Sequence, residues 1–304
     1  MKAVILDTDI GGDIDDTWAL GVLLNSPELE LKAITTVSGD TRYRGAICAK
    51  MLRIAGHKPV PIGLGPVKEK KSYFQPQGEW LDKPVPEADL ACFTEDAVQL
   101  ITDTVNALPE PVTLLAIGPF SNLAELVRRS PETAKKIDLI LLGGSVYKAY
   151  FGKEGHCREY NIIHDLAASR TVFQAQWHSF TISPLDTCGD IYLRGDHYRK
   201  LLDSDSPLCH AVLDNYFIWK NARRHLKNDP PCDPAIESSL ICDTAVVALA
   251  VRPDLAEFRM IPLSVSDNGE TLVDEQHGNM IDVAVSWRDR EALYAFLTER
   301  LTAK

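Results

Sequence analysis

Ala3-Val4-Ile5-Leu6-Asp7-Thr8-Asp9-Ile10-Gly11-Gly12-Asp13-Ile14-Asp15-Asp16-Thr17-Trp18-Ala19-Leu20-Gly21-Val22-Leu23-Leu24 runs from a short apolar segment through five aspartates into a second apolar segment. Residues 3–6 read as a strand and residues from Asp15 onward as a helix. The acids therefore occupy a strand-to-helix turn, with two glycines where the backbone bends. Carboxylates this crowded repel one another unless a positive charge sits among them. An oxygen-rich, histidine-poor set suits a hard divalent cation, Ca2+ or Mg2+, rather than zinc. Asp7 and Asp9, two apart on extended backbone, project to the same side. One aspartate at a helix start is ordinary capping, but capping accounts for only one of the five.

Outward from this stretch, strand-like and helix-like runs alternate. Strands are expected at 31–37, 60–62, 112–117, 139–142 and 180–182. Helices are expected at 44–55 (closed by Gly56), 96–108, 123–129 and 166–175. Near-continuous apolar strands with helices between them indicate an α/β fold: an open, mostly parallel central sheet with helices on both faces. Residues 195–228 read as mainly helical and 243–251 as a helix. Residues 260–265, 271–273 and 281–285 read as a small additional β-hairpin or sheet near the C-terminus. A last helix, 289–301, opens on an Asp suited to its start. Residues 68–86 break the pattern with Pro, Gly, Lys and the aromatics Tyr73, Phe74 and Trp80, a loop long enough to suggest function. With no repeat, low-complexity tract or linker, one domain spanning 1–304 is expected.

In such sheets ligands bind beyond the carboxyl ends of the strands. Asp7 and Asp9, Ser38-Gly39-Asp40, Gly118 to Asn122, Gly143-Gly144 and Pro184-Leu185-Asp186 all follow expected strands and converge on one edge. The formal net charge of −11 argues against nucleic-acid or anionic-membrane partners. The N-terminus reads as a strand rather than a signal peptide, and no apolar run reaches transmembrane length. Seven scattered cysteines without a CxxC pair fit reduced thiols in a cytoplasm.

Asp-x-Asp after a first strand also occurs in phosphatases of the haloacid-dehalogenase type, but those carry Thr or Val where Gly11 stands. An EF-hand-like loop needs a glycine at another offset and a closing Glu. Asp-x-Asp-x-Gly followed by Asp15-Asp16 at a helix start resembles instead the inosine–uridine-preferring nucleoside hydrolases. The likeness continues through Ala33 to Asp40, Leu115 to Ala124, Leu139 to Gly144, Glu159-Tyr160-Asn161 with Asp165, and Cys242-Asp243.

The resemblance implies a homo-oligomeric (dimeric or tetrameric) enzyme that hydrolyses the N-glycosidic bond of ribonucleosides to ribose and free base. It implies Ca2+ held by Asp9, Asp16, Asp243 and the carbonyl of Ser121, binding also the ribose hydroxyls and the attacking water. Asp9 would accept the water's proton, and surrounding carboxylates would stabilise an oxocarbenium-like sugar. Asp15, Asp40, Glu159 and Asn161 would grip the ribose.

Several positions depart from the family pattern. The first loop is two residues longer, making Asp13 an extra acid. Asp40 stands where Asn is usual, Ser121 where Thr is usual, and Gln77 replaces a His common in the long loop. Lys153 falls near a position often held by a sugar-binding Asn. Cys242 stands where a His is thought to protonate the leaving base, as in a subgroup of the family with Cys there. A thiol is a weaker acid than imidazolium, so Cys242, His225, Tyr216 and His156 are all candidate acids. Phe74, Trp80 and Trp219 are candidates to stack on a base. Two alternatives stay open: a hydrolase of a modified or non-nucleoside ribosyl compound, and a non-catalytic nucleoside- or ribose-binding protein.

Overall fold

A computed structural model describes residues 1–67, 73–227 and 231–304. Residues 68–72, the start of the expected loop, and 228–230, at the end of the expected helical stretch, lie outside the described residues. Ten strands form one sheet: β1 (Lys2–Thr8), β2 (Leu29–Thr36), β3 (Ile62–Leu64), β4 (Phe93–Thr94), β5 (Val112–Ala116), β6 (Ile137–Leu142), β7 (Ser179–Ser183), β8 (Ala256–Val265), β9 (Thr271–Val273) and β10 (Asn279–Trp287). Their order is β4-β3-β2-β1-β5-β6-β7-β10-β8-β9. Among the described residues the sheet pairings from β4 to β10 are parallel, while β10 with β8 and β8 with β9 are antiparallel. The expected hairpin is β8–β9, and β10 joins it to the main sheet by pairing with β7 through Asp282 and Thr181.

Successive strand residues face opposite layers. Val4 and Leu6 pack into one core with Trp18, Ile47, Trp219 and Leu297, while Ile5 packs into the other with Val98, Leu123 and Val172. Burial on both faces explains why the strands read as continuous apolar runs. The two-residue β4 escapes the sequence pattern because so short a strand leaves no period to detect.

Two helices are buried nearly all round: α1 (Asp15–Leu24) and the helix Thr244–Val251. They pack against each other, and their first turns meet beyond the sheet edge. A third helix, α2 (Thr41–Ile54), follows β2 and is capped by Asp40, whose carboxylate accepts from Tyr43 N at 3.0 Å. Among the described residues no helix is long and apolar enough to cross a membrane.

Candidate active site

The chain moves from β1 outward to β2, β3 and β4, then returns to β1's other side as β5 and continues to β6 and β7. The sheet thus reverses its winding between β1 and β5, and a crevice opens beyond their carboxyl ends. Asp9 lies at this point. Gly118, after β5, presses so close that a Cβ there would come within 2.8 Å of Asp9 N.

A cavity of about 440 Å³ occupies the crevice and is lined by Asp9, Asp13, Asp15, Asp16, Glu159 and Asp243, together with Asn161 and Cys242. A larger hollow, about 830 Å³, lies by the amino ends of β1, β2 and β5, around Lys2, Glu30 and Thr113. Its acids, Glu30, Glu110, Asp138 and Asp282, form no group close enough to share an ion among the described residues, so chemistry rather than size picks the candidate site.

Oxygens of Asp15, Asp16 and Asp243 lie within 4.8 Å of one another, close enough to share one ion. Asp15 and Asp16 open α1, and Asp243 precedes Thr244–Val251, so the packing of two buried helices unites acids more than 200 residues apart. Burial first, then mutual repulsion, pushes all three carboxyls well above the ordinary range. Burial also raises Asp9, against the pull of Arg44 and His164. An all-carboxylate cluster of this kind fits a hard divalent cation.

Glu159 caps the short helix Tyr160–His164. Its carboxylate accepts from Asn161 N at 2.8 Å, Ile162 N at 3.1 Å and Gly144 N at 3.1 Å. Burial nonetheless pushes it up to about 7. Asn161 Nδ2 donates to the carbonyls of Ile117 and Leu142, each at 3.2 Å, tying β5 to β6. Asp7 does not line the cavity. It is buried beneath, accepting from Thr35 Oγ1 and from Asn122 Nδ2 at 2.8 Å, and burial pushes it up to about 7.

These shifts carry a sign. A carboxyl raised in the folded state holds its proton longer than in the unfolded chain. Its stabilising contribution is complete below about pH 4 and is lost as pH rises through 7. The cation-free protein is therefore expected to melt at a higher temperature at pH 6 than at pH 8. Thermal melts across that window check this, and a Tm that rises with pH contradicts it.

Other expected residues sit elsewhere. Asp40 does not line the cavity; besides capping α2 it accepts from Gln75 Nε2 at 3.0 Å. Ser121 opens the helix Ser121–Arg129, donates to Asp165 Oδ2 and lines a neighbouring hollow with Ser38, Arg44 and Tyr160. Asp13 stands exposed at the mouth. Phe74, 57% exposed, forms part of the wall. Trp80 is buried, with Lys50 Nζ 4.4 Å from its ring centroid. Trp219 is wholly buried and donates to Gly12 O. Lys153 lies over Phe151 rather than in the cavity.

Of the candidate acids, only Cys242 lines the cavity. Tyr216 is buried with its hydroxyl on Glu237 O, His225 neighbours Arg224, and His156 lies 3.7 Å from Glu270. Contact with Cys188, then burial, pushes the Cys242 thiol well above its ordinary range, so it stays protonated.

Sequence reasoning missed Arg44, Tyr150, Tyr160 and Arg223, all of which line the cavity. Arg44 carried a signal. A basic residue in the first turn of a helix opposes the dipole and needs a partner elsewhere. Arg44 finds Ser38 O at 2.7 Å, Ile10 O at 2.8 Å and Asp9 Oδ2 at 3.9 Å.

A doubly wound sheet with a carboxylate-lined crevice at its reversal point defines an α/β protein with an acidic site. The sequence profile of the inosine-uridine preferring nucleoside hydrolases matches residues 4–295, and the chain belongs to that family. It is accordingly an N-glycosyl hydrolase of ribonucleosides. It is similar to uridine nucleosidase 1 of Arabidopsis thaliana, 26% identical over 90% of this chain and 82% of that protein. The pyrimidine-specific ribonucleoside hydrolase RihA of Citrobacter koseri is 35% identical over 57% of this chain and 56% of its own length. A solved plant nucleoside hydrolase, PpNRh1, superposes with a TM-score of 0.79 at 26% identity, covering 100% of this chain and 99% of that one.

Proposed function

We propose that the chain cleaves ribonucleosides to ribose and free base with the aid of Ca2+, and that uridine is among its substrates. The observation that carries this is the convergence of six carboxylates on one cavity whose mouth holds an exposed aromatic ring. By family likeness the ion is assigned to Asp9, Asp16, Asp243 and the carbonyl of Ser121, a residue of the adjoining hollow, and Asp15, in the acid cluster, to a ribose hydroxyl. A bound Ca2+ would hold sugar hydroxyls and acidify a neighbouring water.

Asp9 accepts the water's proton, its carboxylate favoured by Arg44. The remaining acids face the sugar as it gains positive charge, in a crevice where such charge is poorly screened. Glu159 and Asn161, both fixed by backbone partners, hold the rest of the ribose. Family likeness assigns Asp40 to the ribose as well, although at the cap of α2 it lies outside the cavity lining. The base lies toward Phe74 and Tyr160. The protonated Cys242 thiol and the hydroxyls of Tyr150 and Tyr160 are the neutral donors available to it.

The continuous sheet supports reading 1–304 as one domain. Seven scattered cysteines with no CxxC pair support a reducing, cytoplasmic setting, and family likeness supports a homo-oligomer. A role in nucleoside catabolism and in purine or pyrimidine salvage follows from the products.

The test is reducing-sugar release from uridine, cytidine, inosine and adenosine with matched Ca2+ analysis. Sugar release with about one Ca2+ per chain is the expected result. Bound Ca2+ with no release from any of the four sinks the catalytic reading in favour of a binding protein. Phe74→Ala is expected to raise KM for the best substrate about tenfold, the loss of one base–aromatic stack, with kcat changed far less.

A further inference from the structure

The acid-bearing loop between β1 and α1 is anchored carbonyl by carbonyl. Ile10 O accepts from Arg44 Nη1 at 2.8 Å and Gly11 O from Tyr43 Oη at 3.2 Å. Gly12 O accepts from Trp219 Nε1 at 3.1 Å and Asp13 O from Gln77 Nε2 at 2.9 Å. Four successive carbonyls are thus held by four side chains from three separate parts of the chain. Trp219 and Gln77 are wholly buried, and Tyr43 and Arg44 nearly so.

The anchors are also joined to one another. Gln77 N donates to Tyr43 Oη at 3.1 Å, and Gln77 Oε1 accepts from Thr17 Oγ1 at 3.2 Å in α1. Gly11 has φ +102°, and a Cβ there would lie 2.7 Å from the Tyr43 ring. The glycine therefore serves both the turn and the close approach of its anchor.

This arrangement opposes a specific force. Without a cation, the carboxylates of Asp9, Asp13, Asp15 and Asp16 repel one another, and a free loop would relax by splaying. Buried hydrogen bonds to each carbonyl remove that freedom, because turning a peptide away would strand a donor inside the protein. We propose that Tyr43, Arg44, Gln77 and Trp219 are positioning residues that hold the loop in its cation-binding form before the cation arrives. The inference rests on the reading of the carboxylate cluster as a cation site. It also gives Trp219 a role distinct from stacking on a base. Ordering is done by the fold in advance, so little affinity is spent on it at binding.

Calorimetric titration of the chelator-treated protein with Ca2+ tests this, using Trp219→Phe, Gln77→Met and Tyr43→Phe. Each removes one anchoring donor and leaves an apolar side chain in its place. Each is expected to weaken Ca2+ binding by about 10–100-fold, the usual effect of losing a supporting partner of a metal ligand. Uridine hydrolysis lost at limiting Ca2+ should return at saturating Ca2+, which mere loss of folded protein would not show. Trp177→Phe is the control: it removes an indole bond of the same kind, to Val172 O at 3.0 Å, outside the loop. Its Ca2+ affinity should stay within about twofold of the parent. If the parent binds Ca2+ and the three anchor variants bind it equally well, the inference is overturned. A parent that hydrolyses uridine but binds no Ca2+ overturns the cation reading, and this inference with it.

Discussion

Asp243→Asn is expected to abolish stoichiometric Ca2+ binding and to lower kcat/KM for uridine by about three orders of magnitude, or about 4 kcal/mol of transition-state stabilisation. Asp243 stands at the start of Thr244–Val251, yet its side chain makes no capping bond to that helix. It is 3% exposed and shares its space with Asp15 and Asp16. Asparagine preserves the shape and removes the charge. The same change relieves a buried repulsion, so the cation-free variant should melt higher than the cation-free parent, while the Ca2+-induced rise in Tm disappears. Calorimetry, melts with and without Ca2+, and steady-state kinetics check all three. Activity within tenfold of the parent, with Ca2+ binding lost, would separate the cation from the chemistry and refute the proposed role.

Asp9→Asn should behave differently. Asp9 lines the same cavity, but its oxygens fall outside the three-acid cluster and face Arg44. Loss of a positioned general base costs about 10²–10⁴ in rate, so kcat for uridine is expected to fall by that factor with little change in KM. Ca2+ affinity should suffer less than in Asp243→Asn, because the ligands Asp16 and Asp243, whose oxygens lie within 4.8 Å, both remain. A variant that keeps its kcat would move the general base elsewhere. One that loses Ca2+ as completely as Asp243→Asn would make Asp9 chiefly a ligand.

Much of the fold was legible along the chain. Strands buried on both faces read as apolar runs, and helix starts such as Asp96 and Asp289 were marked by side chains that do accept from Gln99 N and Ala292 N. The hidden parts were short or cooperative. The two-residue β4 has no periodicity, and β10's place between β7 and β8 depends on a parallel pairing between residues 101 positions apart. At the site, acids were easy to see because charge beside an apolar run is conspicuous. Arg44 was not, since an arginine in a helix looks like surface until its partners are known. Trp219 looked like a stacking surface because composition cannot tell which way an indole N–H points.

By itself the sequence determined that five acids gather at the end of the first strand, that the sheet is mostly parallel, and that Asp243 belongs with them by family likeness. Local preferences and family motifs are carried by short segments, so they can be read from short segments. Only the tertiary structure decided which acids share one space and what holds them there. Two buried helices pack side by side with their first turns together, bringing Asp15 and Asp16 to Asp243. Side chains from α2, from the turn at Gln77 and from the helix Pro207–Arg223 reach the carbonyls of residues 10–13. Both are long-range contacts, set by packing that no window of neighbouring residues contains.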